Sequence, residues 1–288
     1  MVRRALELIR AGDVYQVNLG HELRARFDGC PRSFFADLSG HARPAHGAYM
    51  EWDAPGPDGT ARRTALCSVS PELFLSFDPR TRVLTTRPMK GTRPISAGPA
   101  ALRDAAKDRA ELAMIVDLMR NDLGRIAVTG SVRVESASDV EAHAGSVLQA
   151  TATVSCRVRE GVGLAGMLRA AFPAGSITGA PKIRAMQVID ELEPFERGHW
   201  CGSIGFVGDD GRFTLSVAIR TATIAGPVDP SDPASIVGGR LSFPVGAGIV
   251  ADSDPQAEWR ETLLKARVLT RVLRDAATPR HRPPASTA

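Results

Sequence analysis

The sequence predicts an α+β protein whose strands pair mainly antiparallel. Strand-like runs such as "AHGAYMEW", "TALCSVS", "ELFLSF" and "RVLTTRP" follow one another across short Asp, Gly and Pro turns, the pattern of hairpins. Helical stretches punctuate these runs instead of alternating with single strands, which disfavours a βαβ wrap. Finally, 288 residues with 43% hydrophobic content can bury a sizeable core, and neither a clear linker nor a short repeat divides them. One domain over 1–276 is the economical reading. Pro283 and Pro284 mark 277–288 as a tail predicted to be disordered.

Element by element, residues 3–11 read as a helix closed by Gly12, and "DVYQVNLGHELRARF" as a long strand. "PRSFFADLSG" is a short helix ended by glycine. After the four hairpin strands, Leu112, Ile115, Val116 and Met119 fall at helical spacing within 107–122. "SVRVES" and "SVLQATATVSCRV" are strands, followed by helices near 163–171 and 181–192. "CGSIGFVG" and "RFTLSVAIRTATI" are two more strands, and 225–239 is a loop rich in Pro, Asp and Gly. "RLSFPVGAGIV" is a strand entering a glycine turn, and 254–275 is a final helix.

Charge narrows the function classes. The formal net charge of +4 is partly carried by the tail, and no lysine-rich run or aromatic–basic interleaving marks a nucleic-acid track. An anionic small substrate fits better. Cys30, Cys67, Cys156 and Cys201 lack CxxC spacing, so neither disulfides nor a zinc site is expected. No segment approaches membrane-spanning length, and a cytoplasmic protein is expected.

Lysine is scarce: of 36 Lys plus Arg, only Lys90, Lys107, Lys182 and Lys265 are lysine. Lys90 stands in "TTRPMKGTRP" between Arg87 and Arg93. An amine can lose its proton and attack carbon where a guanidinium cannot. Burial and like charges both favour the free amine. A solvated loop lysine is the competing reading. In "DPQAEWRETLLKARVL", Glu258, Glu261 and Lys265 share a helical face. Glu111 is a third carboxylate that could join the two glutamates around Mg²⁺, which takes one or two carboxylates plus other oxygens. Two solvated glutamates are the alternative. "SITGAP" and "VGAGIV" offer close backbone approach and N–H groups to an anion. Arg220, in "AIRT", either pairs with an internal carboxylate or clamps a substrate carboxylate.

Taken together, "GDVYQVNL", "SPELFL", "RPMKGTRP", "KDRAELAMIVDLMRNDLGR", "FPAGSITGAPKIRAMQVIDELEP", "WCGSIGF", "AIRT" and "GAGIVADSDPQAEWRETLLKA" resemble the chorismate-utilising enzymes over roughly residues 11–273. That family includes anthranilate, isochorismate, salicylate and aminodeoxychorismate synthases. The resemblance implies a four-layer α/β/β/α fold with two large, orthogonally packed antiparallel sheets. Its P-x-K-G-T motif carries lysine in aminodeoxychorismate synthases and usually alanine in anthranilate synthases. Here Pro88, Met89, Lys90, Gly91 and Thr92 match the lysine form, with Met where Ile is more usual.

The activity so implied joins chorismate and ammonia into 4-amino-4-deoxychorismate, for 4-aminobenzoate and folate synthesis. Lys90 would be the nucleophile and Glu72 the general acid. Glu111, Glu261 and Glu258 would hold Mg²⁺, and Arg220 with Trp200 the enolpyruvyl carboxylate. Thr92, Thr178, Gly179, Gly246, Gly248 and Lys265 would surround the substrate. None of the cysteines sits in a glutaminase context, so ammonia would come from a separate glutamine amidotransferase. Two departures stand out: Gln149 replaces a usual histidine, and the family's substantial amino-terminal segment is expected to be missing, leaving an exposed sheet edge or a compensating partner. Anthranilate synthesis and an inactive chorismate-binding relative are the alternatives.

Overall fold

A computed structural model describes residues 1–57, 59–103, 106–143 and 147–277. The expected tail falls, but for Ala277, outside the described residues. The strands are β1 (Gln16–Gly29), β2 (His46–Pro55), β3 (Ala61–Ser70), β4 (Leu73–Asp78), β5 (Val83–Arg87), β6 (Met89–Pro94), β7 (Arg133–His143), β8 (Val147–Arg157), β9 (Gly179–Ala180), β10 (Ser203–Val207), β11 (Phe213–Val217), β12 (Thr221–Asp229) and β13 (Asp232–Ile249). The helices are α1 (Val2–Arg10), α2 (Pro31–Ala42), α3 (Ala100–Arg103), α4 (Ala106–Gly124), α5 (Leu164–Ala171), α6 (Lys182–Leu192), α7 (Pro255–Lys265) and α8 (Arg267–Ala277).

Two sheets result. The first runs β2-β3-β12-β13-β1-β9, and the second β10-β11-β4-β5-β8-β6 with β7 also on β8. Every strand pairing among the described residues is antiparallel. The α+β prediction holds. Each sheet buries an apolar face under helices. Leu112, Ile115 and Met119 of α4 meet Phe74, Leu84 and Val154 of the second sheet, while α2 and α8 cover the first through Leu38, Leu269 and Val272. Burial of each such side chain favours folding by about 1.5–3 kcal/mol. A third cluster packs α1 and α6 on β1 and the end of β13 through Leu6, Val17, Val188 and Ile249.

Four sequence expectations are corrected. The run 212–224 is not one strand but two, β11 in the second sheet and β12 in the first. The chain changes sheet at Arg220, whose φ is 50°. The expected loop at 225–239 is instead a hairpin, with Asp229 opposite Asp232. Its turn is made by Asp229 Oδ1, which accepts from the Ser231 N–H and hydroxyl, a local side-chain turn that competes well with open loop. Gly246 and Gly248 lie within β13, not in a turn, and the final helix is two helices meeting at Ala266.

All four cysteines are free. Among the described residues no helix is long and apolar enough to cross a membrane.

Candidate active site

The sheets meet at a cavity of about 100 Å³ lined by residues of both. From the first come Asn18 on β1 and Gly246 and Gly248 on β13; the register sets Asn18 opposite Gly248 and Gly20 opposite Gly246. The second brings Lys90 on β6, opposite Ala150 on β8. Immediately after Lys90 the register shifts, and Gly91 takes φ 70°. A Cβ at Gly91 would stand 2.8 Å from Leu102 Cδ2 and 3.0 Å from the Asp108 carboxyl carbon. The K-G pair is therefore one device: a bulge that only glycine fits, which holds the preceding lysine over the cavity.

Lys90 is buried, and its Nζ donates to Asn18 Oδ1 at 3.4 Å. Burial, more than anything else, pulls its pKa below the usual lysine value; Lys265 adds to the fall, while Glu111, Glu261 and Glu72 oppose it. The sequence reading named burial correctly but not the like charge. Arg87 is tied to Glu141, and Arg93 donates to Asp108 at 2.6 Å. Gly248 makes room for the amine, since a Cβ there would lie 2.9 Å from Nζ and 2.7 Å from Gln16 Nε2.

Glu72 is buried one residue before β4 and accepts a hydrogen bond from Ser176 Oγ at 2.5 Å. Burial raises its carboxyl to about 7, against the pull of Ser176, Lys90, Arg220 and Lys265. At neutral pH it is thus poised to hold or give up a proton. Arg220 reaches the cavity because the chain changes sheets there. Burial lowers its pKa to about 10, with Glu72 opposing, and it donates to Gln149 Oε1 at 2.8 Å. Gln149 thus serves as an acceptor that aims the guanidinium, a role an amide oxygen fills well. Trp200 is buried on the wall, and the space a Cβ at Gly20 or Gly246 would need lies against its ring.

The carboxylates divide. Glu111 of α4 and Glu261 of α7 line the cavity. Glu258 does not line it; it is buried behind, accepting from Ser253 Oγ at 2.7 Å. Lys265 bridges Glu261 at 2.8 Å and the Gly246 carbonyl at 2.7 Å. Among the described residues no three His, Cys, Asp or Glu side chains cluster closely enough to hold a metal together. Two carboxylates lining the cavity nonetheless fit the needs of Mg²⁺, a hard ion that completes its shell with water and substrate oxygens.

Thr178 and Gly179 also sit behind the wall. Thr178 Oγ1 donates to the Ala174 carbonyl at 3.0 Å, and Gly179, at φ 148°, pairs with Val17 of β1, where a Cβ would stand 2.1 Å from the Gln16 carbonyl oxygen. The Thr92 backbone belongs to β6, but its side chain lies outside the described residues.

The sequence reading missed Arg197 and Glu193. Glu193 closes α6, accepts from the Gly20 N–H at 2.7 Å and from Arg197 Nε and Nη2 at 2.8 and 2.6 Å. Arg197 also donates to the carbonyls of Ile177 and Asn18 at 2.8 and 2.9 Å and stacks 4.9 Å from the Trp200 ring. This buried pair locks β1, the Ile177 turn and Trp200 together. The i,i+4 spacing in "ELEPFER" was its only sequence signal. Arg197→Met strands Glu193 without its partner, and stability to denaturant is expected to fall by about 3–5 kcal/mol.

The profile of the chorismate binding enzyme family matches residues 1–271, and the chain belongs to that family. It is 39% identical over 278 residues to aminodeoxychorismate synthase component 1 of Escherichia coli (strain K12), covering 94% of this chain and 56% of that protein. It is 41% identical over 282 residues to anthranilate synthase component 1 of Streptomyces coelicolor, covering 96% and 51%. A solved structure of anthranilate synthase component I from Streptococcus pneumoniae superposes with a TM-score of 0.75 at 33% identity, over 93% of this chain and 56% of that one. The chain spans about half the length of the curated relatives it matches.

Proposed function

We propose that the chain converts chorismate and ammonia to 4-amino-4-deoxychorismate, for 4-aminobenzoate and folate synthesis. The observation that carries this reading is Lys90: a buried, pKa-depressed amine on the wall of a cavity that also holds Glu72 and Arg220. Arg220 pairs with the enolpyruvyl carboxylate, beside Trp200. The neutral Lys90 amine attacks ring C2; the C2–N bond forms, the two conjugated ring double bonds each shift by one position, and the C4–O bond breaks. Glu72 gives its proton to the departing hydroxyl, which leaves as water. Ammonia then adds at C4 as the C2–N bond breaks, and Lys90 is restored once the surplus proton on nitrogen is lost. Glu111 and Glu261 would hold Mg²⁺ at the ring carboxylate, with Glu258 supporting from behind. The chemistry the ion supplies there is charge neutralisation and polarisation.

Anthranilate synthesis is the second reading, favoured by the 41% identity to an anthranilate synthase component. Against it stands an amine where anthranilate synthases usually carry alanine. Purified chain with chorismate, Mg²⁺ and ammonium is expected to give the 4-amino product, resolved by mass and by the lack of anthranilate fluorescence. Glutamine alone should give none, because ammonia is proposed to come from a separate glutamine amidotransferase. Anthranilate as product would overturn the first reading; turnover on glutamine alone would overturn the two-protein scheme.

Gly248→Ala tests the geometry. The new methyl meets the far ends of two flexible side chains, Lys90 and Gln16, so the protein is expected to fold. Displacing the amine by about an ångström should cost roughly 30- to 100-fold in kcat. A rate unchanged within twofold, at an unchanged melting temperature, would mean the amine does not depend on that space.

A further inference from the structure

A second cavity, of about 430 Å³, meets the first at Arg220 and Lys265, which line both. Its outer wall is α8. Arg267, Arg271 and Arg274 line it at i, i+4 and i+7, a single stripe on that helix. Leu269 and Val272 on the other side of α8 are buried against the first sheet. Among the described residues neither Arg267 nor Arg271 makes an ion pair, and both are exposed. Among the described residues the acidic side chain lining this cavity is Asp275, whose carboxylate stands 3.1 Å from His41 Nε2. Fold stability gives no reason for Arg267 and Arg271 to face one recess, because like charges there repel.

We propose that this cavity is the entry vestibule for the substrate, a small dicarboxylate ring, and that Arg267 and Arg271 guide it electrostatically onto Arg220. Arg267 and Arg271 near the surface, with Arg220 deeper in, raise the local concentration of a dianion, and low-dielectric walls focus their field. Arg220 and Lys265 then serve as the handover point, being reachable from either cavity. The proposal rests on chorismate as the ligand of the first cavity, and is independent of which nucleophile adds to it.

The test is stopped-flow binding of chorismate without ammonia, followed through the tryptophan fluorescence to which Trp200 contributes, at several NaCl concentrations. In Arg267→Ser/Arg271→Ser the association rate constant at low salt is expected to fall about tenfold, with its salt dependence flattened. The dissociation rate constant should stay within about twofold. Arg267→Lys/Arg271→Lys should keep the fast, salt-sensitive association, because steering needs charge and not a guanidinium. An association rate within twofold of the parent in the serine pair overturns the proposal. So does a loss confined to faster dissociation, which would make these arginines holders of bound substrate. Product identity is read separately with ammonium present: a chain that binds with steered kinetics but forms no 4-amino product refutes the proposed reaction and leaves the vestibule standing. A parent chain that binds no chorismate refutes both.

Discussion

Lys90→Met is expected to lower amination of chorismate by roughly 10³-fold or more, because the step that forms the C2–N bond loses its nucleophile. Binding should survive. The lysine's own hydrogen bond to Asn18 is long, 3.4 Å, and an apolar side chain of similar length suits a buried position better than a cation does. Arg220, held by Gln149 at 2.8 Å, is untouched by the change. Two measurements check this. Product formation under saturating ammonium should collapse while chorismate still quenches tryptophan fluorescence. Incubation of the parent chain with chorismate, without ammonia, should give a covalent mass increment that maps to Lys90 and is absent from the variant. Normal amination by the variant would show that ammonia attacks the ring directly.

Much of this was legible in the residue order, and the failures have physical reasons. Hairpin strands and the α4 core face could be read because period and turn chemistry are local. The switch between sheets at Arg220 could not: "RFTLSVAIRTATI" is uniformly strand-prone, and the chain breaks at an arginine with φ 50°, not at a glycine or proline. Tertiary pairing with β4 on one side and β3 on the other decides it. The glycines of "VGAGIV" read as a turn because a strand with glycine in it is locally weak; they are explained by Trp200 and Lys90 arriving from elsewhere. Helical spacing grouped Glu258 with Glu261, yet only the second reaches the cavity. The first turn of α7 is pinned by Asp254, which caps the Ala257 N–H at 2.8 Å, and Ser253, so Glu258 is held behind the wall. The like-charge neighbour of Lys90 is Lys265, close in space, and not Arg87 or Arg93, close in sequence.

The pH profile of the parent chain should belong to two groups whose environments push them in opposite directions. Lys90 must be neutral to attack, so kcat/KM falls as pH drops through its lowered pKa. Glu72 must be protonated to release the hydroxyl as water, so kcat/KM also falls as pH rises through about 7. Glu72→Gln separates the limbs. The amide keeps the size of the carboxyl, can still accept from Ser176 Oγ, and cannot donate an acid proton to a leaving group. The expected loss in kcat/KM is about 10²- to 10⁴-fold, the usual contribution of a positioned general acid, and what remains should lack the alkaline limb near 7. On the acid side of 7 the Glu72 carboxyl is already protonated and uncharged, so its replacement should leave the acid limb where it is. A variant that keeps both its rate within tenfold and its alkaline limb near 7 would assign the departing hydroxyl's proton to another group.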